Sequence, residues 1–320
     1  MKIKIAFHSN QLGERGTEVA LYDYALYNEV LLSNQSIIIS NKNNDLFSLQ
    51  KFRNRFAVYL YDNFSEVDVI LKENAVDVFY AIKSGLKDHV ISTQCKNVVH
   101  CVFTTAQPHG DVYASISPWL ADQSSVRVPV VPHMVASIES PDDLRSELHI
   151  PEDAVVFGRY GGWEQFDLPF VHRTVEYISR RRKDIYFLFM NTAPFNRQSY
   201  PENNKQIIHL PKSSDDFYKA AFINTCDAML HARYEGETFG LAIAEFSIRN
   251  KPVLTWSQSS QKAHLDIMGE KCIRYHDEKD LFRIINNFNK EAIRKLAWDC
   301  YGASYNPQEV MKVFKQVFLD

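Results

Sequence analysis

The stretch EGETFGLAIAE, residues 235–245, sets two carboxylates, Glu237 and Glu245, with seven residues between them. A strand, AMLHAR (228–233), leads into it, and TFGLAIAEFSIRN reads as a helix that Lys251-Pro252 stops before the next strand, VLTW. The first N–H groups of a helix have no partner within it. Those of Thr238, Phe239, Gly240 and Leu241 are therefore expected to point outward, a seat suited to a diphosphate. Carboxylates beside such a seat repel phosphate but accept from sugar hydroxyls, so the pair points to a ligand carrying both. The plainer alternative makes Glu237 a first-turn acid favoured by the helix dipole and Glu245 a solvated helix residue. Glu245 argues for the ligand, because Ala242, Ile243, Ala244 and Phe246 leave it little polar face to join.

Two further strand ends carry chemistry. In FGRYGGWEQFD (157–167) Arg159 closes a strand and Gly161, Gly162 and Trp163 follow. A guanidinium there suits a phosphate oxygen or an ion pair with a neighbouring acid, and the residues alone leave both open. After the first strand, SNQLGERGTEVALYDYA places Gly13 and Gly16 before a helix, where glycine lets backbone N–H groups approach an anion. That loop lacks the G-x-G-x-x-G spacing of dinucleotide folds and the G-K-[ST] of a P-loop.

These residues need a scaffold of parallel strands. Apolar runs KIKIAF, SIIIS (36–40), VDVFYAI (76–82), NVVHCVF (97–103), VYASIS (112–117) and VRVPVV (126–131) alternate with helical stretches such as 17–32. The polar stretch 136–154, with a small helix expected inside it, separates these from strands at 154–160, 185–191, 206–211, 228–233, 252–256 and 271–276. Helices are expected at 167–182 and 214–226, and the tail reads as helical throughout except at Gly302 and Pro307. The fold class is therefore α/β, two Rossmann-like parallel-sheet domains, 1–137 and 138–320, facing a cleft that would hold the ligand, with a helical C-terminal tail whose last helix could pack back on the first domain.

Composition narrows the partners. A net charge of −3 makes nucleic acid a poor partner. Five cysteines with no C-x-x-C spacing fit a reducing, cytoplasmic setting, and no apolar run reaches the roughly 18 residues of a membrane span. The histidines show no metal-binding spacing and no D-x-D occurs, so neither metal nor cofactor is expected.

The E-x₇-E pair in GETFGLAIAE, the glycine loop near Gly16, the strand-end FGR at Arg159 and the K-P-V after the helix resemble the retaining glycosyltransferases of family 4, which have the GT-B architecture. The resemblance spans the chain, with its specific motifs in the second half. It implies a metal-independent transfer of a sugar from a GDP- or UDP-linked donor to a hydroxyl of a glycan or other acceptor, with retention. Glu245 would hold ribose hydroxyls and Glu237 those of the transferred sugar. Thr238, Phe239, Gly240 and Leu241 would contact sugar and diphosphate. Arg159 would neutralise the departing diphosphate beside Gly161, and the Gly16 loop would close on it. His109, in the loop TTAQPHGDVYA, would meet the donor sugar, and His100 reads as a core residue. The base would lie near HLPKSSDD (209–216).

One departure stands out. Where the family usually has a lysine, five residues after the arginine, this chain has Glu164, which leaves Arg233 or Lys212 as candidate second cations. Glu164 motivates an alternative, a sugar-nucleotide-binding protein with little or no transfer activity. A sugar-nucleotide epimerase of the same fold is a further one. Neither donor, acceptor nor oligomeric state is specified by these residues.

Overall fold

A computed structural model describes residues 2–13, 15–195, 205–213 and 215–320. In chain order they form β1 (Lys4–Ser9), α1 (Gly16–Val30), β2 (Gln35–Asn41), α2 (Leu46–Arg53), β3 (Ala57–Tyr61), α3 (Val67–Glu73), β4 (Val78–Lys83), β5 (Lys96–Cys101), β6 (Val112–Ser115) and α4 (Pro118–Ala121). There follow β7 (Val155–Tyr160), α5 (Pro169–Arg181), β8 (Ile185–Met190), β9 (Ile207–Leu210), α6 (Asp216–Thr225), β10 (Ala228–Leu230), β11 (Gly236–Glu237), α7 (Leu241–Ser247) and β12 (Val253–Trp256). The series ends with β13 (Gln261–Lys262), α8 (Ala263–Met268), β14 (Ile273–Tyr275), α9 (Glu278–Asn286), α10 (Lys290–Ile293) and α11 (Pro307–Phe314).

The chain divides into two compact units, one of residues 1–134 with 304–320 and one of residues 135–303. Each holds a six-stranded sheet, in the order β3-β2-β1-β4-β5-β6 in the first and β14-β12-β10-β7-β8-β9 in the second. All strand pairs in both are parallel. Parallel strands buried on both faces require continuous apolar sequence, and β8, IYFLFM, is buried at every position. Numbered within its own unit, each sheet reads 3-2-1-4-5-6. The strand order therefore reverses between β1 and β4 in one unit and between β7 and β10 in the other. Ligands of such sheets bind beyond the carboxyl ends of the strands at that reversal.

Several local choices fix the frame. Pro118, Pro169 and Pro307 open α4, α5 and α11, where the missing N–H is no loss. Asp215 and Asp277 cap α6 and α9 by accepting from backbone N–H groups of the first turn. In the first unit α11 lays Phe314 against Tyr24 and Tyr80, ring centroids 5.5 and 5.7 Å apart. All three side chains are fully buried.

Some expected elements differ. VRVPVV is not a strand: Pro129 within it cannot donate to a ladder, and only an isolated bridge joins Val130 to Ser115. The small helix expected within 136–154 is a set of turns, and 294–306 is likewise non-helical. Strand β3 was not anticipated. It lies at the sheet edge with a half-exposed pattern, although its sequence, AVYLY, is apolar throughout. Among the described residues no helix is long and apolar enough to cross a membrane.

Gly158, the residue before Arg159, sits where α6 meets the sheet. A Cβ added there would lie 2.1 Å from the Sγ of Cys226. Gly158→Ala is expected to lower stability by roughly 1–3 kcal/mol in denaturant unfolding. Adding Cys226→Ala should recover part of the loss, because the sulfur is the nearest obstacle. Full stability in Gly158→Ala alone would contradict this close packing.

Candidate functional site

In the second unit the reversal of strand order brings together the ends of β7 and β10. Arg159, next to last on β7, is buried, and its charge is met by neutral acceptors: Nη1 donates to the Thr192 hydroxyl at 2.6 Å and Nη2 to the Gly162 carbonyl at 2.9 Å. Among the described residues no carboxylate lies within ion-pair distance of it. Burial pulls the guanidinium down to about 10, against the opposing pull of Glu237 and Asp167. A buried cation held by neutral groups remains a demand for an anion. Gly161 leaves room for it, since a Cβ there would stand 3.0 Å from Nη2.

Beyond β10 the ladder runs one residue further, His231 N–H donating to the Leu254 carbonyl at 2.8 Å. His231 thus comes beside Thr255 of β12, and its Nδ1 lies 2.9 Å from the Thr255 hydroxyl. Its Nε2 lies 3.3 Å from Glu237 Oε1, while Arg233 Nη1 donates to Glu237 Oε2 at 3.0 Å. Burial alone would raise the Glu237 carboxyl. The His231 hydrogen bond and the nearby Arg233, His231 and His264 outweigh it and bring the group down to about 2. Glu237 is therefore an ionised, acceptor-only carboxylate across the physiological range.

The segment after Glu237 departs from expectation. Glu237 lies in β11, paired in register with Lys262 of β13, and α7 starts only at Leu241. Gly240 is its N-cap with φ +89°, a left-handed conformation that glycine adopts freely. The outward first-turn N–H groups are thus those of Leu241, Ala242 and Ile243, and Thr238 and Phe239 precede the helix. Thr238 and Phe239 are buried, the Phe239 carbonyl accepting from the Tyr301 hydroxyl at 3.1 Å. A Cβ on Gly240 would stand 3.4 Å from both Cβ and Cγ of Glu237, so the glycine also sets where that side chain rests.

The remaining candidates fall as follows. Glu245, on α7, faces Lys219 of α6 at 3.5 Å. Arg233 places its terminal nitrogens 3.0 Å from both Glu237 and Glu235, so it is engaged with carboxylates within its own loop. Lys212 and Glu164 are exposed on the loops after β9 and β7. Ser214, within the stretch 209–216, and Glu14, in the glycine loop, lie outside the described residues. The sequence reading passed over His231, Thr255, His264 and Thr192. A polar residue closing an apolar strand, as in AMLHAR, was the available signal for the first.

In the first unit Gly16 opens α1. His109 is half-buried in the loop between β5 and β6, with Nδ1 2.7 Å from the Gln107 carbonyl and burial lowering its pKa. His100 is a core residue, its two nitrogens 2.6 Å from the Tyr80 hydroxyl and 2.8 Å from the Val131 carbonyl. Unforeseen is Glu18 in the first turn of α1. Its Oε1 accepts from the Ser9 hydroxyl at 3.3 Å and its buried Oε2 has no hydrogen-bond partner among the described residues. Burial pushes this carboxyl up to about 7.

No family model matches the chain, and no curated protein matches it by sequence. Solved structures do match its fold. Anabaena Alr3699/HepE, solved in complex with UDP-glucose, superposes with a TM-score of 0.72 at 14% identity, covering 98% of each chain. A glycosyltransferase from Rickettsia africae covers 100% of this chain and 99% of its own at TM-score 0.69 and 13% identity. A putative UDP-N-acetylglucosamine 2-epimerase from Listeria monocytogenes covers 99% and 97% at TM-score 0.62 and 12% identity. At such identities the likeness establishes the α/β GT-B fold.

The Glu18 carboxyl gives a stability prediction with a definite sign. Its folded value, about 7, lies above the 4.5 of the free group, so the fold favours the neutral form. Its contribution is fullest below pH 4.5 and declines as pH rises towards 7. Thermal unfolding of Glu18→Gln should match wild type more closely at pH 5 and exceed it at pH 8. An equal difference at both would show that Glu18 is ionised in the fold.

Proposed function

We propose that this protein is a glycosyltransferase that moves a sugar from a nucleoside diphosphate donor, UDP- or GDP-linked, to a hydroxyl of a glycan or other acceptor. The observation that carries the reading is the pairing, at one strand-order reversal, of a buried arginine lacking a carboxylate partner among the described residues with an ionised glutamate. Phosphate answers the first and sugar hydroxyls the second. The solved neighbours support the same ligand class, one of them having been crystallised with UDP-glucose.

In this reading Glu237 accepts from hydroxyls of the transferred sugar and Glu245 from the ribose. Arg159, beside Gly161, stabilises charge growing on the leaving diphosphate, a term that acts in the transition state. With both glutamates given to hydroxyl binding, neither serves as the nucleophile of a glycosyl intermediate. Retention then follows from attack on the face the diphosphate leaves, the phosphate taking the acceptor's proton. The roles of Gly16 and His109 in holding diphosphate and sugar rest on the family resemblance.

Glu164, exposed where the resemblance expects a lysine, favours a second reading as a sugar-nucleotide-binding protein with little transfer. The likeness to an epimerase gives a further competitor, distinguished by the products formed without acceptor.

A panel of labelled UDP- and GDP-sugars tests the proposal. One or more is expected to bind, and turnover with retained configuration should follow once an acceptor is supplied. Glu237→Gln and Arg159→Ala should each lower turnover on the order of 10²-fold or more. Failure of every donor to bind would sink the reading, and binding without transfer across many acceptors would leave only the second one.

A further inference from the structure

We propose that His231, Thr255 and His264 are positioning residues, forming a continuous hydrogen-bond chain that holds Glu237 with its remaining lone pairs turned to the hydroxyls of a bound sugar. The inference rests on the hydroxyl-reading role of Glu237 and adds the parts that set it. The chain is continuous: Glu237 Oε1 to His231 Nε2 at 3.3 Å, His231 Nδ1 to Thr255 Oγ1 at 2.9 Å, and Thr255 Oγ1 to His264 Nε2 at 3.1 Å. His231, Thr255 and His264 are buried, on β10's extension, β12 and α8.

What each group can donate sets the bonds. A carboxylate only accepts, so His231 Nε2 carries the proton toward Glu237. The Thr255 hydroxyl has one proton for two imidazole neighbours, so it donates to one ring and accepts from the other, which ties the tautomer of His231 to that of His264.

Charged groups of both signs lie around this site. Arg233 and Glu235 come from the loop after β10, Arg159 and Asp167 from the β7 side, and Lys262 stands opposite on β13. Thr255 is the link that cannot ionise, and its hydroxyl joins the two imidazoles without contacting the Glu237 carboxylate. Its removal frees the His231 ring to take the other tautomer, which would turn a lone pair toward the carboxylate.

The test combines two readouts on the full chain. Nitrogen-15 spectroscopy of labelled histidines, assigned by loss of signals in His231→Gln and His264→Gln, should show His231 protonated on Nε2 and just one of His231 Nδ1 and His264 Nε2 protonated, with the His231 pattern altered in Thr255→Val. Binding is measured with the tightest of UDP-glucose, UDP-N-acetylglucosamine and GDP-mannose, and with its nucleoside diphosphate alone. Thr255→Val should weaken the sugar nucleotide about tenfold, as expected for one hydrogen bond, and leave the diphosphate unchanged. Thr255→Ser should restore wild-type binding. Unchanged binding in Thr255→Val, or His231 bare on Nε2, overturns the chain even where Glu237→Gln loses sugar binding. Unchanged binding in Glu237→Gln, with the tautomers as expected, overturns the hydroxyl-reading role instead and the purpose assigned to the chain with it.

Discussion

An ionised carboxylate half withdrawn from water is stable where its charge is met, and much of the second unit is arranged around that requirement at Glu237. Arg233 meets one oxygen and His231 the other. The two-residue pairing of β11 with β13 fixes the backbone that carries it, and Gly240 packs on its methylene stem. Each of these supports depends on strand register. His231 reaches Glu237 because β10 and β12 are aligned so that Thr255 stands beside it. A slip of one residue would turn the imidazole to the opposite face of the sheet.

The two units share one strand order and differ in what stands at its reversal. In the second, a cation and a carboxylate occupy the ends of β7 and β10. In the first, β1 ends at Ser9 against the buried Glu18, and β4 ends at Lys83, paired to Asp88 at 2.5 Å. The scaffold fixes where side chains gather, while their identity decides what can be bound.

Apart from the edge strand β3 and the misread run VRVPVV, both sheets were readable from the sequence, because buried parallel strands are near-continuous apolar runs separated by helical periodicity. The pair Glu237 and Glu245 stands out by its spacing alone, being local in sequence. The start of α7 was not. Thr238 resembles a helix cap by type, yet the chain first makes a strand pairing with residues 261–262 and turns through left-handed Gly240, and neither is encoded in the local pattern. His231, Thr255 and His264 escaped notice for a related reason. They are scattered across 34 positions and meet only through register. Glu18 was hidden because an acid in a first helical turn is ordinarily solvated and favourable; its burial depends on the strand packed beside it.

The placement of α11 has a consequence for how the chain comes into being. Residues 304–320 belong to the first unit, yet all of the second unit lies between them and residue 134. During synthesis, at roughly 5–20 residues per second, the surface that Phe314 covers on Tyr24 and Tyr80 stays bare for on the order of ten to thirty seconds. The second unit can complete its core as it emerges, while the first waits for its last helix. A nascent chain of this protein therefore carries an aromatic face in need of shelter, and any tag or truncation near residue 314 acts first on the unit made earliest.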